Sequence, residues 1–129
     1  FPAGGSVWNI VSGIGGSPML LRAGSVQISD IAELININNT TSRPRTAIGY
    51  TANGRMVLLA VEGDNSSAGY PGINLADLAS MLRSLGCTDA INLDGGGSTS
   101  MVIGNRITVR PGDNGVERPV ASALLIKQR

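Results

Sequence analysis

The chain has 129 residues, 42% apolar and 15% charged, and ten basic against nine acidic side chains give a net charge of +1. That length suits one domain with a genuine hydrophobic core, and bases scattered singly along it argue against nucleic acid as a partner. No histidine is present, which excludes a Ser-His-Asp triad, a Cys-His pair and a His-based zinc site. The single cysteine, Cys87, closes no disulfide within the chain. The longest apolar run, Met56–Val61, has six residues, against the roughly 20 of a membrane helix, so no membrane span is expected.

Eighteen glycines and six prolines punctuate short apolar runs, a pattern that favours strands joined by turns. Residues 3–11 and 19–27 read as strand material, the second broken at Ala23-Gly24 as in a hairpin. Asp30 to Ile35 reads as a short helix. The asparagine-rich loop after it holds glycosylation acceptor patterns at Asn38 and Asn39, with another at Asn65, but such patterns occur by chance in loops of this kind. Thr46 to Thr51 and Arg55 to Val61 form β-rich runs around Asn53-Gly54, a dipeptide that tolerates the positive φ angles of a tight turn. Leu75, Leu78, Ala79, Leu82 and Leu85 then recur at helical spacing, with Asn74 as N-cap and Gly86 as a left-handed stop, so a helix is expected over about 75–85. Ala90 to Leu93 reads as a strand, residues 101–103 and 106–109 as a hairpin around Gly104-Asn105, and Val120 to Ile126 as a last strand. The sum is an α+β domain: a mixed β-sheet with one well-defined helix packed on it.

The densest chemical signal follows the short strand, in Asn92-Leu93-Asp94-Gly95-Gly96-Gly97-Ser98-Thr99. An apolar strand delivers a carboxylate, and three residues without side chains let the backbone turn sharply and present N–H groups to an anion. Ser98 and Thr99 add hydroxyls suited to phosphate or sugar oxygens. A flexible Gly/Ser turn is the plainer alternative. The loop lacks the lysine of a Walker A sequence and the spacing of a dinucleotide fingerprint, and without histidine it is not a hydrolase elbow. Glu62 leaves the strand ending at Val61. If that strand runs parallel to the one ending at Leu93, Glu62 and Asp94 emerge at one sheet edge, as the carboxylate pair of glycosyl transfer requires; otherwise Glu62 is a solvated loop acid. Arg45 and Arg118 open strands as surface or ion-pairing arginines. Cys87 reads as a small apolar filler.

Arg45-Thr46-Ala47-Ile48-Gly49, Asn53-Gly54-Arg55, the 75–86 helix, the 90–99 block and Glu117-Arg118-Pro119-Val120-Ala121 together resemble, in order and spacing, the phosphodiester glycosidase family. The resemblance runs from about residue 43 to the C-terminus and more loosely through residues 12–24. It implies hydrolysis of a sugar-1-phosphodiester in an extracytoplasmic or secreted setting, on a small molecule or glycan carrying a sugar phosphate. It also implies a domain longer on its N-terminal side, so that residues 1–129 form the C-terminal part of a single domain, with an N-terminal segment of the same protein as a further partner. Asp94 and Glu62 would then be acid/base or nucleophile. Arg45 and Arg118 would balance phosphate charge, and Asn92, Gly95, Gly96, Gly97, Ser98 and Thr99 would bind substrate. The family commonly carries aspartate where this chain has Glu62 before Gly63, which leaves open whether Glu62 or Asp64 faces the pocket. No cofactor is called for, although a divalent cation on Asp94 and Glu62 suits the preference of hard ions for oxygen. Two other classes stay open: a non-catalytic carbohydrate- or phosphate-binding module of the cell envelope, and a structural piece inactive without its upstream part.

Overall fold

The computed structural model describes residues 11–37 and 39–127. The expected strand over 3–11 therefore lies outside the described residues except for Val11. Five strands build the main sheet, in spatial order β2-β1-β5-β3-β4. They are β1 (Met19–Arg22), β2 (Ser25–Val26), β3 (Arg45–Thr51), β4 (Met56–Val61) and β5 (Cys87–Asn92), with helix α1 (Leu75–Ser84) between β4 and β5; β6 (Met101–Ile103) and β7 (Arg106–Val109) pair separately. Every ladder between neighbours is antiparallel. The α+β architecture, a sheet with one helix packed on it, is the one expected.

Three hairpins show how turn chemistry sets register. Ala23-Gly24 and Gly104-Asn105 place both central residues at positive φ, 49° and 79° in the first and 56° and 61° in the second, the conformation that matches strand twist in a two-residue turn. At Asn53-Gly54 only Gly54 takes positive φ, +80°. The loop there is three residues, closed by the Thr51 N–H donating to the Arg55 carbonyl oxygen at 2.9 Å. Thr51 Oγ1 accepts the Arg55 N–H at 3.0 Å, in place of the Thr51 carbonyl oxygen, which accepts the Gly54 N–H at 2.9 Å.

Helix α1 starts where Asn74 Oδ1 accepts the Asp77 N–H at 2.9 Å while Asn74 Nδ2 donates to Asp77 Oδ2 at 2.7 Å. It stops before Gly86, at φ +87°. Its buried face, Leu75, Leu78, Ala79 and Leu82, packs with Leu20, Leu21, Ala47, Cys87 and Ala90, and each fully buried leucine contributes roughly 1.5–3 kcal/mol against the cost of ordering the chain. Alternation along the sheet sends Val57, Leu59 and Val61 toward this core. The register aligns Ile48 with Leu58 and Ile91, and Tyr50 with Met56 and Asp89, on the other face. Apolar residues therefore line both faces, a pattern of sheets covered on both sides.

Two sequence expectations fail. Asp30 to Ile35 forms a hydrogen-bonded turn rather than a helix, with the Ile35 N–H donating to the Asp30 carbonyl oxygen at 3.0 Å. Asp30 is held by Asn39 Nδ2, and Glu33 is drawn to Ser17 and Ser29, so side-chain bonds outcompete continuation of the helix. Val120 to Ile126 makes no strand; Leu125 and Ile126 are 77% and 73% exposed. An apolar run becomes a strand only where it finds a ladder to join, and this one pairs with none among the described residues.

Candidate active site

Because β4 and β5 both pair antiparallel with β3, they run parallel to each other on either side of it. Val61 and Asn92 thus end at the edge where β3 begins. Glu62 and Asp94 leave the sheet on the two flanks of the Arg43-Pro44-Arg45 segment, which is the juxtaposition that the sequence left conditional.

Pro44 organises this edge. Its carbonyl oxygen accepts the Gly96 N–H at 2.9 Å, and a Cβ at Gly95 would stand 2.9 Å from the same oxygen. On the β4 side, a Cβ at Gly63 would lie 2.5 Å from the Pro44 nitrogen, and one at Gly72 would stand 2.6 Å from the Arg43 nitrogen. Gly112 closes in from the C-terminal part of the chain, where a Cβ would stand 2.7 Å from Pro44 Cγ and overlap the Gly96 carbonyl oxygen. Pro44 is fully buried beneath them. Sequence reasoning missed Pro44, Gly63, Gly72 and Gly112; for the last two the signal was the recurrence of Pro-Gly, at 71–72 and 111–112, outside the predicted turns.

The glycine loop itself is folded as a three-ten turn, Gly96–Ser98. Gly95 donates its N–H to Asp94 Oδ1 at 2.9 Å, so two of the three amides expected to cradle an anion bond within the chain, Gly95 to Asp94 and Gly96 to Pro44. Gly97 is the central residue of the three-ten turn. Gly97 faces Arg118, whose Nη1 would be 2.9 Å from a Cβ at that position, and Arg118 Nη2 donates to Ser98 Oγ at 2.8 Å. Beside them Ser100 Oγ donates to Glu117 Oε1 at 3.4 Å. The edge thus presents an exposed carboxylate, a glycine amide, a hydroxyl and an exposed guanidinium on one short stretch.

Other expected site residues sit inside. Arg45 is 4% exposed, with Nε donating to the Ile73 carbonyl oxygen at 3.3 Å and Nη2 to that of Thr41 at 3.2 Å; burial, then the neighbouring Arg43, lowers its pKa. It shares a face of β3 with core residue Ala47 and ties the loops beneath the edge. Thr99 is completely buried, with Thr46 Oγ1 donating to its Oγ1 at 3.4 Å. Asn92 is 4% exposed and its Nδ2 donates to the carbonyl oxygens of Ser17, at 2.8 Å, and Leu93, at 2.9 Å. Its Oδ1 has no partner among the described residues. Glu62 is half-buried and Asp94 exposed. Cys87 lies in the core with burial pushing its thiol pKa up, which fits a space-filling role.

Among the described residues no three Asp, Glu or Cys side chains cluster as a metal site would require, and no helix is long and apolar enough to cross a membrane. Two shallow concavities lie away from the glycine loop. One, of about 330 Å³, is bordered by Thr51, Asn53, Arg55 and Gly86; the other, of about 300 Å³, lies on the apolar sheet face at Met19, Ile48, Tyr50 and Ile91.

These features define a helix-covered α+β domain with an acidic, glycine-lined sheet edge. The sequence pattern of the phosphodiester glycosidase family matches residues 3–127, and the chain belongs to that family. It is 35% identical over 111 residues to the bovine N-acetylglucosamine-1-phosphodiester α-N-acetylglucosaminidase, covering 78% of this chain and 20% of that protein. Among solved structures, it is similar to a hypothetical protein from Synechocystis, with TM-score 0.66, 30% identity, and coverage of 77% of this chain and 18% of the other. A second similar structure is the zebrafish N-acetylglucosamine-1-phosphodiester α-N-acetylglucosaminidase catalytic domain, auto-inhibited by its pro-peptide. There the TM-score is 0.63 at 30% identity, with 76% of this chain and 34% of the other covered. The chain therefore spans about a fifth of the length of the bovine relative.

Proposed function

We propose that the chain carries the phosphate-binding edge of a hydrolase that cleaves a sugar-1-phosphodiester, with N-acetylglucosamine, the sugar in its relatives' names, as the first candidate. Water adds across the bond between the anomeric carbon and the phosphate oxygen; the sugar takes the hydroxyl, and the proton goes to a phosphomonoester that stays on the second alcohol. The Gly97 N–H, Ser98 Oγ and the Arg118 guanidinium would hold phosphate oxygens, because charge-assisted donors fixed beforehand stabilise developing negative charge without reorganisation. Asp94 and Glu62 would divide acid/base or nucleophilic work. The observation that carries this reading is the contact of Arg118 with both Gly97 and Ser98, immediately beyond the Asp94 carboxylate.

Arg45 and Asn92 serve this reading as supports of the edge, and Thr99 anchors the loop from inside. A second reading, a non-catalytic sugar-phosphate module, is favoured by the exposure of Asp94 and by concavities that avoid the loop. Turnover separates the two. Sugar release from N-acetylglucosamine 1-phosphate esterified to a simple alcohol should be saturable, and Asp94→Asn or Glu62→Gln should lower kcat by roughly 10²–10⁴-fold while binding persists. Binding without release by the unmutated chain would establish the module instead, and neither binding nor release would overturn both.

A further inference from the structure

We infer that Gly112 is a positioning residue for the phosphate-holding turn, acting through the Gly96 peptide on Gly97, Ser98 and Arg118. The inference rests on the reading of those three residues as the phosphate holders and names what sets their geometry. Gly112 is not among the residues with positive φ, so backbone conformation does not call for glycine there. Close approach does: a Cβ would overlap the Gly96 carbonyl oxygen and press on the Pro44 ring at 2.7 Å.

The turn that carries Gly112 braces itself. Pro111 is buried, the Gly115 N–H donates to the Pro111 carbonyl oxygen at 2.9 Å, and the Val116 N–H donates to that of Asp113 at 2.9 Å. An added methyl at 112 thus meets a braced support behind it and the Gly96 peptide in front. Gly96 is held in turn: its N–H donates to Pro44, and its carbonyl oxygen accepts the Thr99 N–H at 3.0 Å. Displacing that carbonyl weakens the bond that closes the three-ten turn, and Gly97 and Ser98, the next two residues, move relative to the Arg118 guanidinium packed on them. Gly112 itself offers no side chain to a ligand, so its effect on binding must pass through this chain of contacts.

The test compares Gly112→Ala with Gly104→Ala, a glycine at φ +56° with open space around it in the β6–β7 turn. Inorganic phosphate and N-acetylglucosamine 1-phosphate serve as calorimetric probes, with KM and kcat measured on the diester and thermal midpoints recorded. Gly112→Ala should weaken both probes and raise KM by about tenfold to a hundredfold, whereas Gly104→Ala lowers the midpoint and leaves both constants unchanged. Combining Gly112→Ala with Arg118→Ala should cost less than the product of the single effects, because both act on one arrangement. If Gly112→Ala does not fold, phosphate titration of the unmutated chain followed by amide NMR still decides. The Gly112 resonance should move with the same Kd as that of Gly97, while that of Gly104 stays put. Unchanged phosphate affinity in a folded Gly112→Ala, multiplicative effects in the double variant, or a silent Gly112 resonance beside a moving Gly97 would overturn the inference and leave the functional reading standing. Absence of both binding and hydrolysis in the unmutated chain would remove the functional reading and the inference together.

Discussion

Glycine does two different jobs in this domain, at the hairpin turns and at the sheet edge where β3 begins. At the hairpin ends, Gly24, Gly54 and Gly104 take positive φ and have nothing within 4 Å of where a Cβ would be; they are present because L side chains disfavour that backbone conformation. At the edge where β3 begins, Gly63, Gly95 and Gly112 need no positive φ and are wedged against the backbone or ring of Pro44. The first group shapes turns that solvent surrounds. The second lets three loops distant in sequence converge on residues 43–45, where the carboxylates, the Gly97 amide and Arg118 emerge. A side chain costs conformational strain in the first group and displacement of neighbouring chain in the second, so the two groups should respond differently to the same substitution.

Gly72→Ala should be the most damaging, since Gly72 combines φ +96° with a Cβ position 2.6 Å from the Arg43 nitrogen. Strain and overpacking together predict a loss of roughly 2–5 kcal/mol, read from the urea midpoint. Gly63→Ala, crowded but without positive φ, should lose roughly 1–3 kcal/mol. Gly104→Ala should lose roughly 1–2 kcal/mol from strain alone. Equal losses at 72 and 104 would erase the distinction between the two groups.

Much of the scaffold was readable in advance because its signals are local. Asn74, the leucine spacing and Gly86 specify α1 within one stretch of chain, and Ala23-Gly24 and Gly104-Asn105 specify their own turns. Asp94 to Ser98 announced itself through three glycines between a carboxylate and a hydroxyl. Convergence was not readable. Nothing in Pro44 or Gly112 alone tells that they meet, because close approach of backbones is a property of pairs of segments. Burial of Arg45 and Thr99 was hidden for the same reason, since both residue types are usually exposed and only the packed loops show which oxygens they satisfy. The apolar run Val120 to Ile126 pointed to a strand, but pairing depends on a partner that the local pattern does not contain.

Two smaller effects sharpen the contrast from the helix-covered side. Asn74→Ala should cost about 1 kcal/mol, the usual value of an N-cap, measured by chemical denaturation. Glu33 accepts hydrogen bonds from Ser17 Oγ, from Ser29 Oγ, and from the Met19 N–H at 3.2 Å. These bonds, that of Ser17 foremost, hold its carboxyl below the ordinary carboxylate range. Its lowered pKa contributes stability that is present above the unfolded carboxylate pKa and lost as pH falls through the folded one. Glu33→Gln should therefore flatten the acid limb of the stability profile while leaving its shape near neutrality unchanged; an acid limb as steep as that of the unmutated chain would count against a stabilising role for these bonds.

A crystal structure of the chain with N-acetylglucosamine 1-phosphate bound would decide most directly whether the crowded edge exists to hold a phosphate. The phosphate oxygens should accept from the Gly97 N–H, Ser98 Oγ and Arg118, with the sugar between Asp94 and Glu62. A ligand seated instead in the concavity beside Asn53 and Gly86, or on the apolar face at Ile48 and Ile91, would contradict the assignment.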